Sequence, residues 1–281
     1  VAGRMASVPA RVSTIHNSVY HYDVSAVHKH LYSAAERLTL RWCNRVIAVS
    51  EGIALELRSR YQLRPEKISV VPNGVDPGRL EARVERAQVR EQLGIGDEAI
   101  VLLQVGRLTP QKGYDVLFEA VARIADRYRE LVVLAVGEGP LRDDLASQAQ
   151  SLGIANVVHF LGHREDVADL LQAADLVTLA SRSEGMPYTL LEAMGSGRAV
   201  VATRIGGIEE VITQAGMALL VPSEDPEALA NSLVTLLEDP EGAEKMGRAA
   251  REYILQHHSA AGMLAQVQTI YRDLLAGAPS R

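Results

Sequence analysis

The chain has 281 residues, 47% of them hydrophobic, with a formal net charge of -6 and a pI near 5.8. That composition supports a buried core and excludes disorder, and the acidic balance argues against nucleic acid as a partner. A single cysteine, Cys43, excludes an internal disulfide, and no apolar run reaches the roughly 18 residues of a membrane span.

The predicted elements alternate between two periods. Short Val/Ile/Leu-rich runs read as buried parallel strands: VSTIH (12–16), RVIAVS (45–50), ISVVPN (68–73), IVLLQVG (100–106), LVVLAVG (131–137), VVHFLG (157–162), LVTLAS (176–181), AVVATR (199–204) and ALLVP (218–222). Helical periodicity fills the gaps, over 114–128, 141–152, 167–174 and 226–237, and one or two amphipathic helices are expected over 244–275. Cys43, beside Trp42 in a helical apolar pattern, is expected to be buried filler. Pro72-Asn73-Gly74 marks a turn, and the charged stretch Glu81 to Arg90 follows it. This predicts a boundary: 1–74 as a partial domain of about three strands and 75–281 as a complete one. Repeated strand–helix–strand units give an α/β fold with parallel sheets, whose ligands bind beyond the C-terminal strand ends.

Two such ends carry chemistry. SRSEGMPYTLLEAMGSG (181–197) follows LVTLAS. Gly185 frees the backbone, Pro187 suits a first helical position, and the helix runs through Leu190 to a stop at Gly195 or Gly197. Glu192 then lies roughly 7–8 Å along the axis from its start, at about 1.5 Å per residue. Glu184 and Glu192 thus flank a helix N-terminus that favours phosphate, as hydroxyls, phosphate and hydroxyls on one extended ligand require. VGRLTPQKG (105–113) leaves the strand IVLLQV at Gly106 and carries Arg107 and Lys112, two cations that can neutralise a diphosphate without a metal. Spacing alone leaves other readings open: Glu184 as a cap, Glu192 as an exposed helical glutamate, and Arg107 and Lys112 as surface cations.

VGEGP (136–140) is not a dinucleotide fingerprint, because Arg142 stands where the third glycine belongs, which argues against an NAD-dependent enzyme. No Asp-x-Asp motif lies near a strand end, no histidine cluster has ligand spacing, and Gly206-Gly207 with Glu210 reads mainly as a turn and a helix start.

TIHNS, VIAVSEGI, VVPNGVD, VGRLTPQKG, VGEGP, FLGHREDV, SRSEGMPYTLLEAMGSG and RIGGIEEV occur in that order. From about Val12 to Leu275 the chain resembles the retaining, GT-B-fold glycosyltransferases of glycosyltransferase family 4. The resemblance implies two Rossmann-like domains. The N-terminal, acceptor-side one lacks its first strands and glycine-rich loop. The C-terminal one binds the nucleotide-sugar, and the last helix, after about Gln256, returns to the first domain. It implies that a hexose passes from a nucleotide-diphosphate-sugar, UDP-sugar among the candidates, to a glycan, lipid or small-molecule hydroxyl. No cofactor or metal is implied.

By residue, the resemblance implies that Glu192 holds the ribose and Glu184 the donor-sugar hydroxyls. Gly185, Met186 and Pro187 lie against sugar and diphosphate, with Thr189 and Leu190 in the same donor-binding turn. Gly106, Arg107 and Lys112 meet the diphosphate, and Leu161, Gly162 and His163 meet the base. His16 orients the sugar near the acceptor. Peripheral contact with the inner membrane face, a cytoplasmic location, polysaccharide biosynthesis and self-association through the incomplete sheet are further expectations. Arg4, Arg11 and His28 to Tyr32 bear on the membrane contact, and His21 is read as a surface or acceptor-side residue. Without the missing loop, the alternative is a fragment that binds nucleotide diphosphate and does not turn over.

Overall fold

The computed structural model describes residues 6, 8–18, 25–212 and 216–276. Arg4 and His21 lie outside them. Among the described residues nine strands, all paired in parallel, form two sheets. The first has the order β1 (Val12–Ile15), β2 (Arg45–Ala48), β3 (Ile68–Val70), with α1 (Ala26–Trp42) and α2 (Glu51–Ser59) between its strands.

The second sheet comes after α3 (Arg86–Gln92). Its strands are β4 (Ile100–Val105), β5 (Leu131–Val136), β6 (Val158–Gly162), β7 (Leu176–Leu179), β8 (Ala199–Thr203) and β9 (Leu219–Val221), in the spatial order β6-β5-β4-β7-β8-β9. The order reverses between β4 and β7, so the crevice where ligands bind in such sheets opens at their C-terminal ends. All nine strands fall where the Val/Ile/Leu runs predict.

The intervening helices are α4 (Tyr114–Ile124), α5 (Arg142–Ser151), α6 (Val167–Ala173), α7 (Tyr188–Gly195), α8 (Gly206–Glu209), α9 (Pro226–Glu238), α10 (Pro240–His257) and α11 (Ala260–Ala276). Asp225 and Asp239 cap the start of α9 and α10 through the Ala228 and Gly242 amides, each followed by a proline at the first helical position. α4 ends at Ile124, short of the expected Tyr128, and the C-terminal region resolves into two helices.

Phe118, Leu145 and Leu233 of α4, α5 and α9 pack on one face of the second sheet. On the other face, Leu170, Leu190 and Ile254 of α6, α7 and α10 join a core that continues through Leu80 and Val75 to Val46 and Ala48 of the first sheet. No helix among the described residues is long and apolar enough to cross a membrane.

The charged stretch Glu81 to Arg90 ends in α3, where Arg90 is 2% exposed, and Cys43 departs from the buried position expected of it. The Arg90 guanidinium bonds Asp175 at 2.8 Å and the Ala173, Asp97 and Ala99 carbonyls, so burial leaves no unpaired charge. Cys43 is half-buried at the C-cap of α1, its Sγ 3.5 Å from the Thr39 carbonyl, because the helix ends there before β2 begins.

The segment that leaves the first sheet at Val75 lies beside the junction of α10 and α11. The Val75 amide donates to the His258 carbonyl (2.8 Å) and the Ala260 amide to the Val75 carbonyl (2.9 Å). A Cβ at Gly74 would sit 2.4 Å from the Ser259 oxygen, so only glycine lets the strands approach. The last helix does start at this junction, but no residue of α11 is buried.

Candidate active site

The loops after β4 and β7 are joined by a ladder of polar contacts. Gln104, 2% exposed, accepts from the Thr178 hydroxyl (2.9 Å) and the Ala180 amide (3.2 Å) and donates to the Lys112 carbonyl (3.0 Å). Gln111 Nε2 donates to the Ser183 carbonyl at 2.7 Å. Arg182 forks onto Asp115 at 2.9 and 2.7 Å and reaches the Pro110 carbonyl and Glu224. Burial pushes the Asp115 carboxyl up, but the Arg182 hydrogen bonds and charge outweigh it and hold it below the usual range.

Beneath the loops, the Tyr114 hydroxyl lies 3.0–3.1 Å from the Gln104, Gly106 and Val136 carbonyls. Gly113 adopts φ 63°, and a Cβ there would lie 2.0 Å from the Ala180 oxygen. The loops therefore need glycine where they touch.

This ladder brings Lys112 and Glu184 together. Lys112 Nζ donates to Glu184 Oε1 at 2.6 Å, and the Ser181 hydroxyl donates to the same oxygen at 2.8 Å. The two side chains are only 20% and 7% exposed. Gly106 leaves room for the lysine stem: a Cβ there would meet its methylene carbons at 3.1–3.3 Å. Arg107 is exposed at the loop's edge, so of the two expected cations only Lys112 is paired with Glu184.

Past Glu184 the backbone is pinned on three sides. A Cβ on Gly185 would lie 1.9 Å from the His16 oxygen at the end of β1, and a Cβ on Gly207 would lie 1.8 Å from the Gly185 oxygen. Asn73, itself buried, donates through Nδ2 to the Met186 carbonyl at 2.7 Å. His258 Nδ1 lies 3.2 Å from the Asn73 carbonyl, and burial lowers that imidazole's basicity. His16 thus meets the 184–187 loop through its backbone, while its side chain is exposed.

Pro187 is the N-cap of α7, extended at φ -73° and ψ 129°, not its first helical residue as predicted. No side chain caps this helix, so the amides of its first turn face the loops without a side-chain acceptor. The helix ends at Gly195, and Gly197 turns the chain at φ 76°.

Glu192 lies one turn into α7, where burial raises its carboxyl against the partly offsetting charge of Arg79. Beside it Thr189 Oγ1 is buried without a hydrogen-bond partner, while Leu190 is buried in the core. A cavity of about 460 Å³ opens from Glu192 past Arg79, Arg83, Glu165 and Asp166. Gly162, at φ 66°, turns the chain from β6 toward that cavity, with Leu161 half-buried and His163 exposed. Among the described residues no group of three or more His, Cys, Asp or Glu could hold a metal.

Comparison with known proteins fits this geometry. The family described as Glycosyl transferases group 1 matches residues 85–253, and Glycosyltransferase Family 4 matches residues 1–79. The chain belongs to the group 1 glycosyltransferases. Its architecture is GT-B. Anabaena HepE in complex with UDP and glucose superposes with a TM-score of 0.86 at 26% identity, covering 96% of this chain and 73% of that one. The D-inositol 3-phosphate glycosyltransferase of Kribbella flavida is 35% identical over 231 residues, 78% of this chain. The UDP-Gal:alpha-D-GlcNAc-diphosphoundecaprenol alpha-1,3-galactosyltransferase of Escherichia coli is 28% identical over 280 residues, 98% of this chain and 72% of its own length. This glycosyltransferase chain spans 54% of the Kribbella relative's length.

Sequence reasoning missed three groups that shape the site: Gln104, the Arg182–Asp115 pair and Asn73. A glutamine inside an otherwise apolar strand was the one available signal. The Gly206-Gly207 turn is more than a helix start, since Gly207 is packed against the backbone of Glu184 and Gly185.

Proposed function

We propose that the chain is a glycosyltransferase that moves a hexose from a nucleotide-diphosphate-sugar to a hydroxyl acceptor with retention at the anomeric carbon. Residues 1–74 form the acceptor-side part and residues 75–281 the donor-binding part. The observation that carries this is the Lys112–Glu184 ion pair of 2.6 Å at an uncapped helix N-terminus, with Glu192 one turn further along.

In this reading the diphosphate sits on the α7 amides with Lys112 Nζ and Arg107, which stabilise its charge as it leaves. Gly106 lets the lysine lie close. Glu184 and the backbone of Gly185, Met186 and Pro187 hold the sugar, and His16 orients it from the acceptor side. Glu192 takes the ribose hydroxyls, Thr189 lines the adjoining wall, and Leu161, Gly162 and His163 border the base. The anomeric carbon–oxygen bond to the diphosphate breaks as the acceptor oxygen bonds on the same face, and the acceptor proton passes to the departing phosphate oxygen. Positioning and charge stabilisation carry the rate, with no covalent enzyme intermediate and no metal.

The complexes of HepE with UDP and glucose and with UDP-glucose support a UDP-sugar as donor. A lipid-linked or glycan acceptor is supported by the diphosphoundecaprenol in the name of the Escherichia coli relative. A peripheral contact with the inner membrane face is supported by α1, where Val27, Leu31, Tyr32 and Leu38 are exposed among His28, His30 and Arg41.

The test is incubation with UDP-, GDP- and ADP-glucose, following nucleoside diphosphate release and the anomeric proton coupling of the product by NMR. Release with the α-configuration kept supports the proposal, and an inverted product overturns retention. A second reading, binding without turnover, is separated by the same assay. Tight nucleotide binding with no release from any of the three donors selects it.

A further inference from the structure

α2 starts at Glu51, and its first amides are satisfied from two directions. Ser50 Oγ accepts from the Ile53 amide at 3.2 Å, an ordinary local cap. The Glu51 and Gly52 amides instead donate to the carboxylate of Glu210, at 2.6 and 2.7 Å. That carboxylate lies 158 residues along the chain from Gly52, beyond β8 of the other sheet. These are short, charge-assisted bonds, made where the positive end of a helix favours an anion.

Glu210 immediately follows α8, whose Gly207 is pressed onto the Gly185 carbonyl, and Gly185 is pressed in turn onto the His16 carbonyl. From α2 through Glu210, α8 and Gly185 to the end of β1, the contacts close a ring with both ends on the first sheet. The donor loop lies in the middle of that ring. A Cβ at Gly52 would come 3.1 Å from Glu210 Oε1, so the glycine also keeps the carboxylate close to the helix axis. Arg204 is paired with the neighbouring Glu209, which leaves Glu210 to the helix.

We infer that Glu210 is a positioning residue: by capping α2 it holds the 184–187 loop against the end of β1, so that the bound sugar meets groups of both sheets. The inference deepens the proposed donor site and rests on it. Its consequence is selective. The groups assigned to the nucleotide all lie on the second sheet's side and do not need the clamp. The sugar, between Glu184 and His16, does.

The test compares the full chain with Glu210→Ala, Glu210→Gln and, as a control, Glu209→Ala. Amide hydrogen exchange is followed over 50–53 and 184–186, and calorimetry gives the affinities for UDP and UDP-glucose. In Glu210→Ala, exchange should quicken in both segments, and UDP-glucose should weaken about tenfold, the scale of one lost helix cap. UDP should stay within about twofold. Glu210→Gln, which keeps an acceptor oxygen, should fall between, and Glu209→Ala should match the wild type. If exchange quickens over 50–53 alone and the ratio of UDP-glucose to UDP affinity does not move, Glu210 merely caps α2 and the inference is overturned. If neither ligand binds the wild type, the donor reading fails, and exchange at 184–186 still decides whether the clamp reaches the loop.

Discussion

The two ends of the donor cleft are built on opposite principles. At the Lys112–Glu184 end nearly every polar group already has a partner. Gln104, Gln111 and Arg182 bond the two loops together, Ser181 bonds Glu184 within its own loop, and the lysine and glutamate bond each other. At the Glu192 end polar groups wait: Thr189 Oγ1 is buried without a partner, and burial alone raises the Glu192 carboxyl. In the proposed reading a diphosphate would meet a preformed charge constellation at one end, which would lower the ordering cost of binding. At the other end a nucleoside would relieve a standing cost, because binding there would satisfy groups the free protein buries without hydrogen-bond partners.

The contrast can be broken hardest at the charged end. Lys112→Ala should weaken nucleoside diphosphate binding about 100-fold by calorimetry, the loss of a charge-assisted contact worth ~3 kcal/mol. It should also destabilise the unliganded fold, because Glu184 loses the cation it is buried against. An unchanged melting temperature together with unchanged affinity would make the pair incidental.

Next in size is Gly185→Ala, whose Cβ would collide with the His16 oxygen at 1.9 Å. Pushing the strand end from the loop should cost UDP-sugar about 30-fold in affinity, in line with overpacking costs of about 2 kcal/mol, and leave UDP nearly untouched. Equal losses for both ligands would mean that the loop itself, not its approach to β1, is damaged.

Glu192→Gln sharpens the opposite side of the comparison. The folded-state pKa of Glu192 lies above its unfolded value, so the folded protein binds that proton more tightly and stability falls as pH rises through the interval between them. At neutral pH the substitution should remove that cost and raise the melting temperature by about 2 °C while weakening nucleotide about tenfold. A variant that is both less stable and unaffected in binding would contradict the assignment of a waiting carboxylate.

The smallest effect is expected at Asp115→Asn. Because the Asp115 carboxyl is held low in the fold, its stabilisation is present above the ordinary aspartate range and is lost as pH falls through the folded value. The difference in melting temperature between variant and wild type should therefore shrink on acidification below about pH 4. A difference that stays constant with pH would remove the Arg182 pair from the account.

Much of this was legible before any coordinates. Nine Val/Ile/Leu runs specify nine strands because apolar runs suit the covered interior of a parallel sheet, although the outer strands are only partly buried and Thr14 of β1 is exposed. Pro187, Gly195 and Gly197 delimit α7 to within a residue through their backbone preferences. What was not legible depends on partners far away in the chain. Arg90 reads as surface charge, since hydropathy records the guanidinium and not the Asp175 carboxylate and three carbonyls that receive it. Glu210 reads as a helix residue, since its work is done on amides 158 and 159 positions earlier. Asn73 reads as a turn former, but residues 71–74 make no turn, and its side chain grips Met186 across 113 residues. Local pattern names the elements, while the contacts that tune the site belong to the tertiary fold.

The most direct test is a crystal structure of the chain with UDP bound. The account predicts the diphosphate within hydrogen-bonding distance of Lys112 Nζ and the first amides of α7, with the ribose hydroxyls on Glu192. UDP lying outside this cleft, or turned so that its ribose meets Glu184 in place of Glu192, would contradict it.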